Sequence, residues 1–355
     1  MKDRFESRRR RVLLVLRKDV DAFLITNIKN IRYLTGFKGS YAVALLTEKQ
    51  IFLFVDFRYI QQAGKEANAE IIEFKDFWIE PLKNIALENR IKKIGFEPSI
   101  SYELFAKLSK IKDFKLLPAE YVVETVRASK DQEEIEHIKR AVQRAEQAFL
   151  SVKPNIKEGI AEKEIALMLE YEIRKQGSEC LPFPVIVASG ENSSMPHWRN
   201  SDKKLKKGDF VIIDWGAESD GYFSDMTRTF VIGEPNQRQV EIYEIVNNAR
   251  KKAIEATKHG IYAKKIDAKA RNLIKQSGYG DKFGHATGHG VGMDVHEFPK
   301  IGAQSEDRIV RGMVFTIEPG IYIENFGGVR IEDMVLVMKD NVEVLTTLST
   351  DLEIL

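Results

Sequence analysis

The sequence predicts a two-domain protein of the α/β (α+β) class, and three observations support that prediction. The chain has 355 residues, which is more than one ordinary hydrophobic core accommodates. Its first part, about 120 residues, alternates short apolar runs of strand length with helical patterns. Beyond that part, a pair of amphipathic helices followed by strands occurs twice in succession. We therefore predict domains over residues 1–122 and 123–355.

The first domain is predicted from three strands and two helices. Apolar runs of strand length cover residues 21–26, 41–47 and 51–57. Helical patterns cover residues 58–67 and 102–110. The domain has no Gly-rich phosphate loop and no catalytic constellation, so we expect the catalytic residues to lie in the second domain.

The charge composition does not favour a nucleic-acid partner. The chain is 43% hydrophobic and 30% charged, and its 55 basic and 53 acidic residues give a formal net charge of +2. This balance gives no electrostatic reason to expect a nucleic-acid partner. The basic run Arg8–Arg11 is expected to be the solvated face of an N-terminal helix. Asp56 and Arg58 fit an ion pair at a strand end better than a catalytic pair.

The same sequence predicts a cytoplasmic protein. The apolar run of residues 12–16 is too short for a signal peptide, and no stretch approaches the roughly 20 apolar residues of a membrane span. The single cysteine, Cys180, cannot form an internal disulfide, which favours a reducing compartment. We expect Cys180 to be a small buried residue rather than a nucleophile.

The second domain is predicted to be an internal duplication. Residues 129–132, Ser-Lys-Asp-Gln, have the form of a capping box with Ser129 as the N-cap, and apolar residues follow at helical period. Further helices are predicted over residues 161–175, 238–258 and 263–276, with strands after each pair. Carboxylates recur at an offset of 104 to 107 residues, which is typical of a repeated helix-helix-sheet unit with a site between its halves.

One pair of carboxylates lies in VIIDWGAESDGYFSDMTRTF. Asp214 ends an apolar run, where a charge is costly unless it is paired or bound to a metal. The segment Glu218–Gly221 is a good turn, and its midpoint coincides with the midpoint of Asp214 and Asp225. A hairpin around this turn would place the two carboxylates opposite each other on adjacent strands. Facing like charges destabilise a sheet, so we expect a positive charge between them.

A second pair repeats this arrangement in residues 313–337. Glu318 and Glu332 lie in two apolar runs around the turn Asn325–Gly328, and residue 325 is their midpoint. Pro319 predicts a strand end or bulge directly after Glu318. Arg330 precedes Glu332 by two residues and therefore shares its strand face.

The segment GHATGHGVGMDVH, residues 284–296, holds three of the six histidines of the chain. Its four glycines exclude a helix that would stack the three rings on one face. A histidine with the four carboxylates supplies oxygen and nitrogen ligands with a total charge of −4, which matches two divalent ions. Mn²⁺, Co²⁺, Zn²⁺ and Fe²⁺ are all admissible, and a two-metal site with a bridging water indicates hydrolysis.

These motifs resemble the pita-bread metallopeptidases, the superfamily of prolidase, aminopeptidase P and methionine aminopeptidase. The resemblance lies in IIDWGA, YFSDMTRTF, GHATGHGVG, FTIEPG and GVRIEDMV, with the linker RASKDQEEI. NIRYLTGF, residues 30–37, resembles the creatinase/prolidase N-terminal domain. The resemblance covers nearly the whole chain and implies a pita-bread catalytic domain with a pseudo-two-fold repeat, preceded by a smaller α/β domain.

The resemblance also implies roles for the metal-binding residues. Asp214 would bind one metal, and Asp225 and Glu332 would bridge both. His289 and Glu318 would complete the other metal, and Glu318 is also a candidate proton shuttle. The expected ions are Mn²⁺ or Co²⁺, with Zn²⁺ or Fe²⁺ as alternatives.

Other residues are implied to act around the metals. His296 would contact the scissile carbonyl, and His197 would be a second histidine on the substrate side. His285 would stand behind the site, Arg330 would orient the carboxylates, and Tyr322 would form a hydrogen bond nearby. His137 and His259, by contrast, lie in predicted surface segments and are expected to be structural.

The function that the resemblance implies is hydrolysis of the bond between an N-terminal residue and proline by a metal-bridging hydroxide. A short chain favours a dipeptidase, and the alternative is an aminopeptidase P that acts on longer Xaa-Pro peptides. The presence of an N-terminal domain argues against methionine aminopeptidase, and the complete ligand set argues against creatinase. The remaining alternative is a metal-free pita-bread binding module, as in some chromatin factors.

A dipeptidase must also recognise the carboxylate of the substrate proline, for which an arginine is the best partner. Some prolidases have an arginine directly after the HExP motif, whereas this chain has Lys300. Arg199 is a possible substitute, since an arginine fork suits a carboxylate. The expected partners are small peptides with proline at the second position, without nucleic acid or membrane, and the family implies a homodimer.

Overall fold

The computed structural model describes residues 2–16 and 20–355 and has the mixed α/β class that the sequence predicts. The chain divides into two units, Met1–Arg127 and Ala128–Leu355. The predicted domain boundary between residues 122 and 123 falls in the short helix Val122–Arg127, which ends the first unit. No helix of the described part of the chain is long and apolar enough to span a membrane.

The first unit contains a six-stranded sheet in the order β4-β3-β2-β1-β5-β6. The central strands are almost entirely buried, which explains why they appear in the sequence as continuous apolar runs. The three strands and two helices predicted here are all present. The elements are α1 Lys2–Val15, β1 Ala22–Ile25, α2 Ile28–Thr35, β2 Val43–Thr47, β3 Ile51–Val55, α3 Ile60–Glu66, β4 Glu70–Glu73, α4 Ile79–Glu88, β5 Lys93–Phe96, α5 Tyr102–Leu108, β6 Lys115–Pro118 and α6 Val122–Arg127.

The basic run of helix α1 is not a solvated face, so that prediction is wrong. Arg8 donates a hydrogen bond to the Tyr33 carbonyl at 3.1 Å, and Arg9 donates one to a neighbouring carbonyl of helix α2 at 3.0 Å. Arg11 donates to the Val126 carbonyl at 3.0 Å. These carbonyls belong to the last turns of α2 and α6, where they lack partners within the helix. Asp56 and Arg58 form the predicted ion pair, at 2.8 Å.

The second unit follows the predicted order of helix pairs and strands. Short 3₁₀ helices cover Lys153–Asn155, Gly190–Ser194 and Gly280–Lys282. The first half contains α7 Gln132–Val152, α8 Glu162–Lys175, β7 Ile186–Ser189, β8 Phe210–Trp215, β9 Glu218–Ser219, β10 Tyr222–Phe223 and β11 Met226–Val231. The remainder contains α9 Gln237–Ala256, α10 Ala263–Gln276, β12 Gly288–Gly290, β13 Glu297–Ile301, β14 Val314–Ile317, β15 Gly320–Ile323, β16 Gly327–Arg330, β17 Asp333–Val337, β18 Val342–Val344 and β19 Glu353–Ile354.

The internal duplication is confirmed by the sheet topology. The strand run β7-β8-β11 lies in one sheet and its counterpart β12-β14-β17 lies in another, and each run is antiparallel throughout. Helices α7 and α8 pack together, as do α9 and α10. The first helix of each half begins with a capping box, formed by Asp131 with Glu134 and by Asn236 with Gln239.

The capping prediction is therefore wrong by two residues. Asp131, not Ser129, accepts the hydrogen bond from the third residue of helix α7. The backbone of Ser129 pairs with Met313, and its hydroxyl donates to the Arg311 carbonyl at 2.9 Å. Cys180 is exposed in the loop after α8, so the expectation that it is buried is also wrong.

Helix α7 packs against the sheet that contains β7, β8 and β11, and this packing positions strand β8, which carries Asp214. The indole of Trp215 donates to the Ala145 carbonyl at 3.0 Å. Phe149 stacks on Trp215 and on Phe230, with ring centroids 4.7 and 5.4 Å apart. Helix α7 therefore contacts both β8, which contains Asp214, and β11, which begins directly after Asp225.

A buried ion pair links the start of the second unit to strand β13. Lys130 Nζ lies 2.6 Å from Glu297 Oε1, and these side chains are 1% and 5% exposed. We expect Lys130→Met to lower the free energy of unfolding by about 3–5 kcal/mol, because it removes the buried cation that faces the Glu297 carboxylate. Chemical denaturation of the full chain measures this loss.

Lys139→Met is the matched control for this substitution. Lys139 also forms an ion pair, with Glu343 at 2.7 Å, but these side chains are 37% and 41% exposed. An exposed pair contributes less than about 1 kcal/mol. Equal losses in the two variants would contradict the assignment of a stabilising role to the buried pair.

Candidate metal centre

The first carboxylate pair lies on one sheet face, in a register that differs from the prediction. Asp214 faces Thr227 rather than Asp225. The turn is centred on Asp220 and Gly221, which have φ values of 49° and 78°. Asp-Gly favours such a turn because both central residues need positive φ. Asp225 is consequently a diagonal neighbour of Asp214 on the same face, still within side-chain reach.

The second pair has the predicted register. Ile317 pairs with Asp333 on one side of it, and Gly320 pairs with Arg330 on the other. Glu318 and Glu332 lie between these two ladders, at positions that the same register places opposite each other. The strand end predicted from Pro319 is confirmed, because β14 ends at Ile317 and β15 begins at Gly320.

The histidine segment is extended at its centre, as its glycines predict. His289 is the middle residue of β12, which lies between β13 and β14. A Cβ atom at Gly288 would collide with the Thr316 carbonyl oxygen, and one at Gly290 would collide with the Phe298 carbonyl oxygen. The two glycines therefore allow close approach of the neighbouring strands, and this approach brings the imidazole to the carboxylates.

The predicted metal ligands converge in the second unit. Asp225, His289 and Glu332 each offer a ligand atom within 4.8 Å of the others. His289 Nε2 also lies 3.3 Å from Glu318 Oε1 and 3.6 Å from Asp225 Oδ2. Asp225 and Glu332 are 5% and 2% exposed, so neither carboxylate can rely on water for its solvation.

The electrostatics of this cluster call for positive charge. Burial raises the pKa of both Asp225 and Glu332 well above their usual values, and the neighbouring carboxylates raise it further. Burial also raises the pKa of Asp214, against the opposing effect of Arg330. Burial opposes ionisation of Glu318, but the hydrogen bond and charge of His289 lower its pKa to about 2. Cations between the carboxylates would stabilise the ionised forms.

Asp214 supplies a direct test of whether the residues fit metal ions. Its Oδ2 accepts a 2.7 Å hydrogen bond from Arg330 Nη2. Its Oδ1 is buried, and no described residue donates a hydrogen bond to it. A buried carboxylate oxygen without a donor is costly, and coordination of a cation satisfies it. The donor set of oxygens and one imidazole nitrogen suits divalent ions, so the residues fit the predicted group.

A hydrogen-bonded network surrounds the carboxylates. Arg330 is 3% exposed, and its guanidinium donates to Asp214, to Thr227 Oγ1 at 3.1 Å and to Tyr322 Oη at 3.0 Å. Tyr322 Oη is also 3.0 Å from His285 Nε2, and His285 Nδ1 is 2.8 Å from the Ala286 carbonyl. The carbonyl requires a proton on Nδ1, so the Nε2 atom of neutral His285 accepts a hydrogen bond from the Tyr322 hydroxyl. Burial lowers the pKa of His285, which favours this neutral form.

The two histidines predicted on the substrate side are exposed beside this cluster. The centroids of the His296 and His289 rings are 4.0 Å apart. Burial of part of the ring lowers the pKa of His296, and the charges of His289 and His197 lower it further. His197 directly follows Pro196, whose carbonyl accepts a 3.4 Å hydrogen bond from Arg330 Nη1. Arg199 and Lys300 are both exposed, and in the described part of the chain neither side chain forms an ion pair with the carboxylates.

One residue of the site was missed by the sequence reasoning. The Thr227 hydroxyl donates to Glu332 Oε2 at 2.7 Å and accepts from Arg330 Nε. Thr227 thus connects the first carboxylate strand to the second. Its position two residues after Asp225, on the same strand face, is the signal that would have identified it.

Comparison with known proteins agrees with this geometry. Residues 136–339 match the model of metallopeptidase family M24, and residues 9–129 match that of the creatinase/prolidase N-terminal domain. A Xaa-Pro dipeptidase of Pyrococcus horikoshii is 40% identical over 344 residues, which cover 95% of each chain.

Solved structures resemble the chain over nearly its full length. A Xaa-Pro dipeptidase from Bacillus anthracis has a TM-score of 0.95 at 37% identity and 99% coverage of both chains. An X-Pro aminopeptidase from Thermotoga maritima has a TM-score of 0.89 at 40% identity, with 95% of this chain and 98% of that chain covered. These matches confirm the predicted pita-bread fold and its N-terminal domain. The chain belongs to metallopeptidase family M24.

Proposed function

We propose that this enzyme hydrolyses the Xaa-Pro bond, with Xaa-Pro dipeptides as its main substrates. The observation that carries the proposal is the convergence of Asp225, His289 and Glu332 within 4.8 Å, beside two exposed histidines. Relatives similar over nearly the whole chain are named for cleavage at proline. Proline makes a tertiary amide without an N–H group, which excludes ordinary peptidases.

The five predicted ligands would hold two divalent ions. Asp225 and Glu332 would bridge both ions, Asp214 would bind one, and His289 with Glu318 would bind the other. Two bound ions supply an activated water and polarise the scissile carbonyl. We propose Mn²⁺ or Co²⁺, with Zn²⁺ or Fe²⁺ as admissible alternatives.

The remaining side chains supply binding and proton transfer. His296 would donate a hydrogen bond to the carbonyl oxygen, where negative charge develops in the transition state. His197 would contact the substrate from the loop between β7 and β8. The carboxylate of Glu318 would take the proton of the attacking water and return it to the departing proline nitrogen. Arg330 would keep Asp214 oriented through its 2.7 Å hydrogen bond.

A second candidate function is removal of the N-terminal residue from longer Xaa-Pro peptides. The observation that favours it is the full-length similarity to a structure named X-Pro aminopeptidase. A dipeptidase needs a cation for the proline carboxylate, whereas an aminopeptidase needs space beyond proline. Arg199 and Lys300 are the exposed cations nearest in sequence to His197 and His296, and we propose that one of them binds the carboxylate.

The ratio of rates on two substrates tests the proposal. Protein loaded with Mn²⁺ or Co²⁺ is expected to cleave an Xaa-Pro dipeptide faster than the matching Xaa-Pro-Yaa tripeptide. A chelator should abolish both activities, and the same metal should restore them. A reversed ratio would favour the aminopeptidase, and intact substrates with all metals would refute peptidase function. Protein purified without chelator and free of metal would indicate a binding module instead.

A further inference from the structure

Glu162 is a buried carboxylate at the start of helix α8, outside the metal cluster. The residue is 0% exposed. Its Oε1 accepts hydrogen bonds from the backbone and hydroxyl of Ser189, both at 2.8 Å, and from Asn192 Nδ2 at 3.0 Å. Its Oε2 accepts from the Trp198 indole at 2.9 Å, and from the Ser201 backbone at 3.1 Å and hydroxyl at 2.7 Å.

These donors lie at the two ends of one loop. Residues 190–200, which we name the His197 loop, connect strand β7 to the segment that leads to β8. Glu162 Oε1 binds donors where the chain enters this loop, and Oε2 binds donors where it leaves. A single side chain thus ties both ends of the loop to helix α8. His197 lies between the two tied ends, and its own side chain is exposed.

The loop is also attached to the residues around the metal cluster. The Pro196 carbonyl accepts a 3.4 Å hydrogen bond from Arg330 Nη1. Ser193 Oγ accepts a 2.8 Å hydrogen bond from the backbone of Gly328 in β16. Glu162 therefore restrains the His197 loop from one side, while the hairpin of β15 and β16 restrains it from the other.

Glu162 has the charge that such a restraint requires. Burial raises its pKa, but the hydrogen bonds from Asn192, Ser201, Trp198 and Ser189 outweigh this effect and hold the pKa below its usual value. Hydrogen bonds to an ionised acceptor are roughly twice as strong as neutral ones. A buried carboxylate is costly without such partners, so the loop and Glu162 stabilise each other.

We propose that Glu162 is a positioning residue that holds His197 in place to contact the substrate. The inference rests on the proposed function, in which His197 acts on the substrate side. Glu162 is not one of the five proposed ligands, and it would act through the His197 loop rather than on the substrate itself. A loop held at both ends keeps the imidazole oriented before the substrate arrives, which avoids an ordering cost in the reaction.

Glu162→Gln tests the proposal in the metal-loaded full chain. The glutamine keeps one oxygen as an acceptor. Its NH₂ group replaces the other oxygen and faces hydrogen-bond donors that it cannot accept from. We expect kcat/KM on an Xaa-Pro dipeptide to fall by about 10- to 100-fold, as for other residues that orient a functional group. In a His197→Ala background, the same substitution should change kcat/KM by less than about 2-fold, because residues acting as one unit are not additive.

Glu146→Gln is the matched control. Glu146 is also a buried carboxylate on a helix, and it accepts hydrogen bonds from the hydroxyl of Thr347 and from the backbone amides of Thr347 and Leu348. Its partners lie near the carboxyl end of the chain, and none of them belongs to the His197 loop. We expect this variant to lose stability with kcat/KM unchanged within about 2-fold.

Trp198 supplies a spectroscopic readout of the loop. The other two tryptophans, Trp78 and Trp215, are 1% and 0% exposed, whereas Trp198 is half-buried and bound to Glu162. Glu162→Gln should shift the fluorescence emission to longer wavelength, and Glu146→Gln should not. Ser201→Ala, which removes one hydroxyl, serves in its place if Glu162→Gln does not fold, with a smaller loss of the same kind.

Three results would overturn the inference. One is an equal loss from Glu162→Gln with and without His197, and another is full activity of Glu162→Gln while His197→Ala is impaired. The third is full activity of His197→Ala, which would refute the role of His197 but leave peptide cleavage by the wild type intact. A wild-type protein that cleaves no Xaa-Pro bond would instead refute the proposed function, and this inference with it.

Discussion

His289→Ala is expected to lower kcat/KM on Xaa-Pro dipeptides by more than about 100-fold and to lower the metal content of the protein. The imidazole lies 3.3 Å from Glu318 and 3.6 Å from Asp225, so its loss removes the proposed nitrogen ligand from the cluster. Substitution of residues that merely orient a ligand costs 10- to 100-fold in related metal sites, and removal of the ligand itself should exceed that. Elemental analysis of dialysed protein and single-substrate kinetics measure the two effects.

His259→Ala is the control for this experiment. His259 is exposed, and its Nδ1 accepts a 3.2 Å hydrogen bond from the Arg311 backbone in a different part of the unit. It should keep both metals and normal activity. If His289→Ala retained the metal content of the wild type, the assignment of His289 as a ligand would be wrong.

His296→Ala is expected to lower kcat by roughly 100- to 1,000-fold, which is the effect of removing one donor to a developing oxyanion. Both metals should remain bound. The ring is exposed and lies 4.0 Å from the His289 ring, so it can reach a substrate at the metals without completing their coordination. Kinetics on the dipeptide and metal analysis of the same sample separate the two properties.

A conservative variant sharpens this prediction. His296→Gln keeps a hydrogen-bond donor near the same position and should recover part of the lost kcat. Metal loss in His296→Ala would contradict the role on the substrate side. An unchanged kcat with a raised KM would indicate binding of the ground state instead of the transition state.

The local sequence pattern predicted the strand register of one hairpin correctly and that of the other incorrectly. The pair Glu318 and Glu332 was predicted to face across the sheet from the midpoint of one turn, and the ladders on both sides confirm it. The same reasoning failed by two residues for Asp214, because Asp220 and Gly221 both adopt positive φ and move the turn. Turn chemistry, not the symmetry of the carboxylates, determines the register.

Buried polar contacts were the main source of error. Ser129 was predicted to cap helix α7, but it pairs with Met313 from a distant part of the sequence. Arg8 was predicted to be solvated, but it donates to a carbonyl of helix α2. In both cases the side chain donates a hydrogen bond to a backbone carbonyl from a distant part of the sequence, and a local pattern does not reveal such a partner.

The sequence by itself determined the two-domain organisation, the duplicated helix-helix-sheet unit and the segments that bring carboxylates and histidine together. These features depend on hydrophobic period, turn residues and costly charges in apolar strands, all of which are local. Only the tertiary structure decided which atoms meet. The bond from Thr227 to Glu332, the bond between Tyr322 and His285, and the attachment of the His197 loop to Glu162 join residues far apart in sequence. Each depends on packing of separate elements, and no period or spacing encodes it.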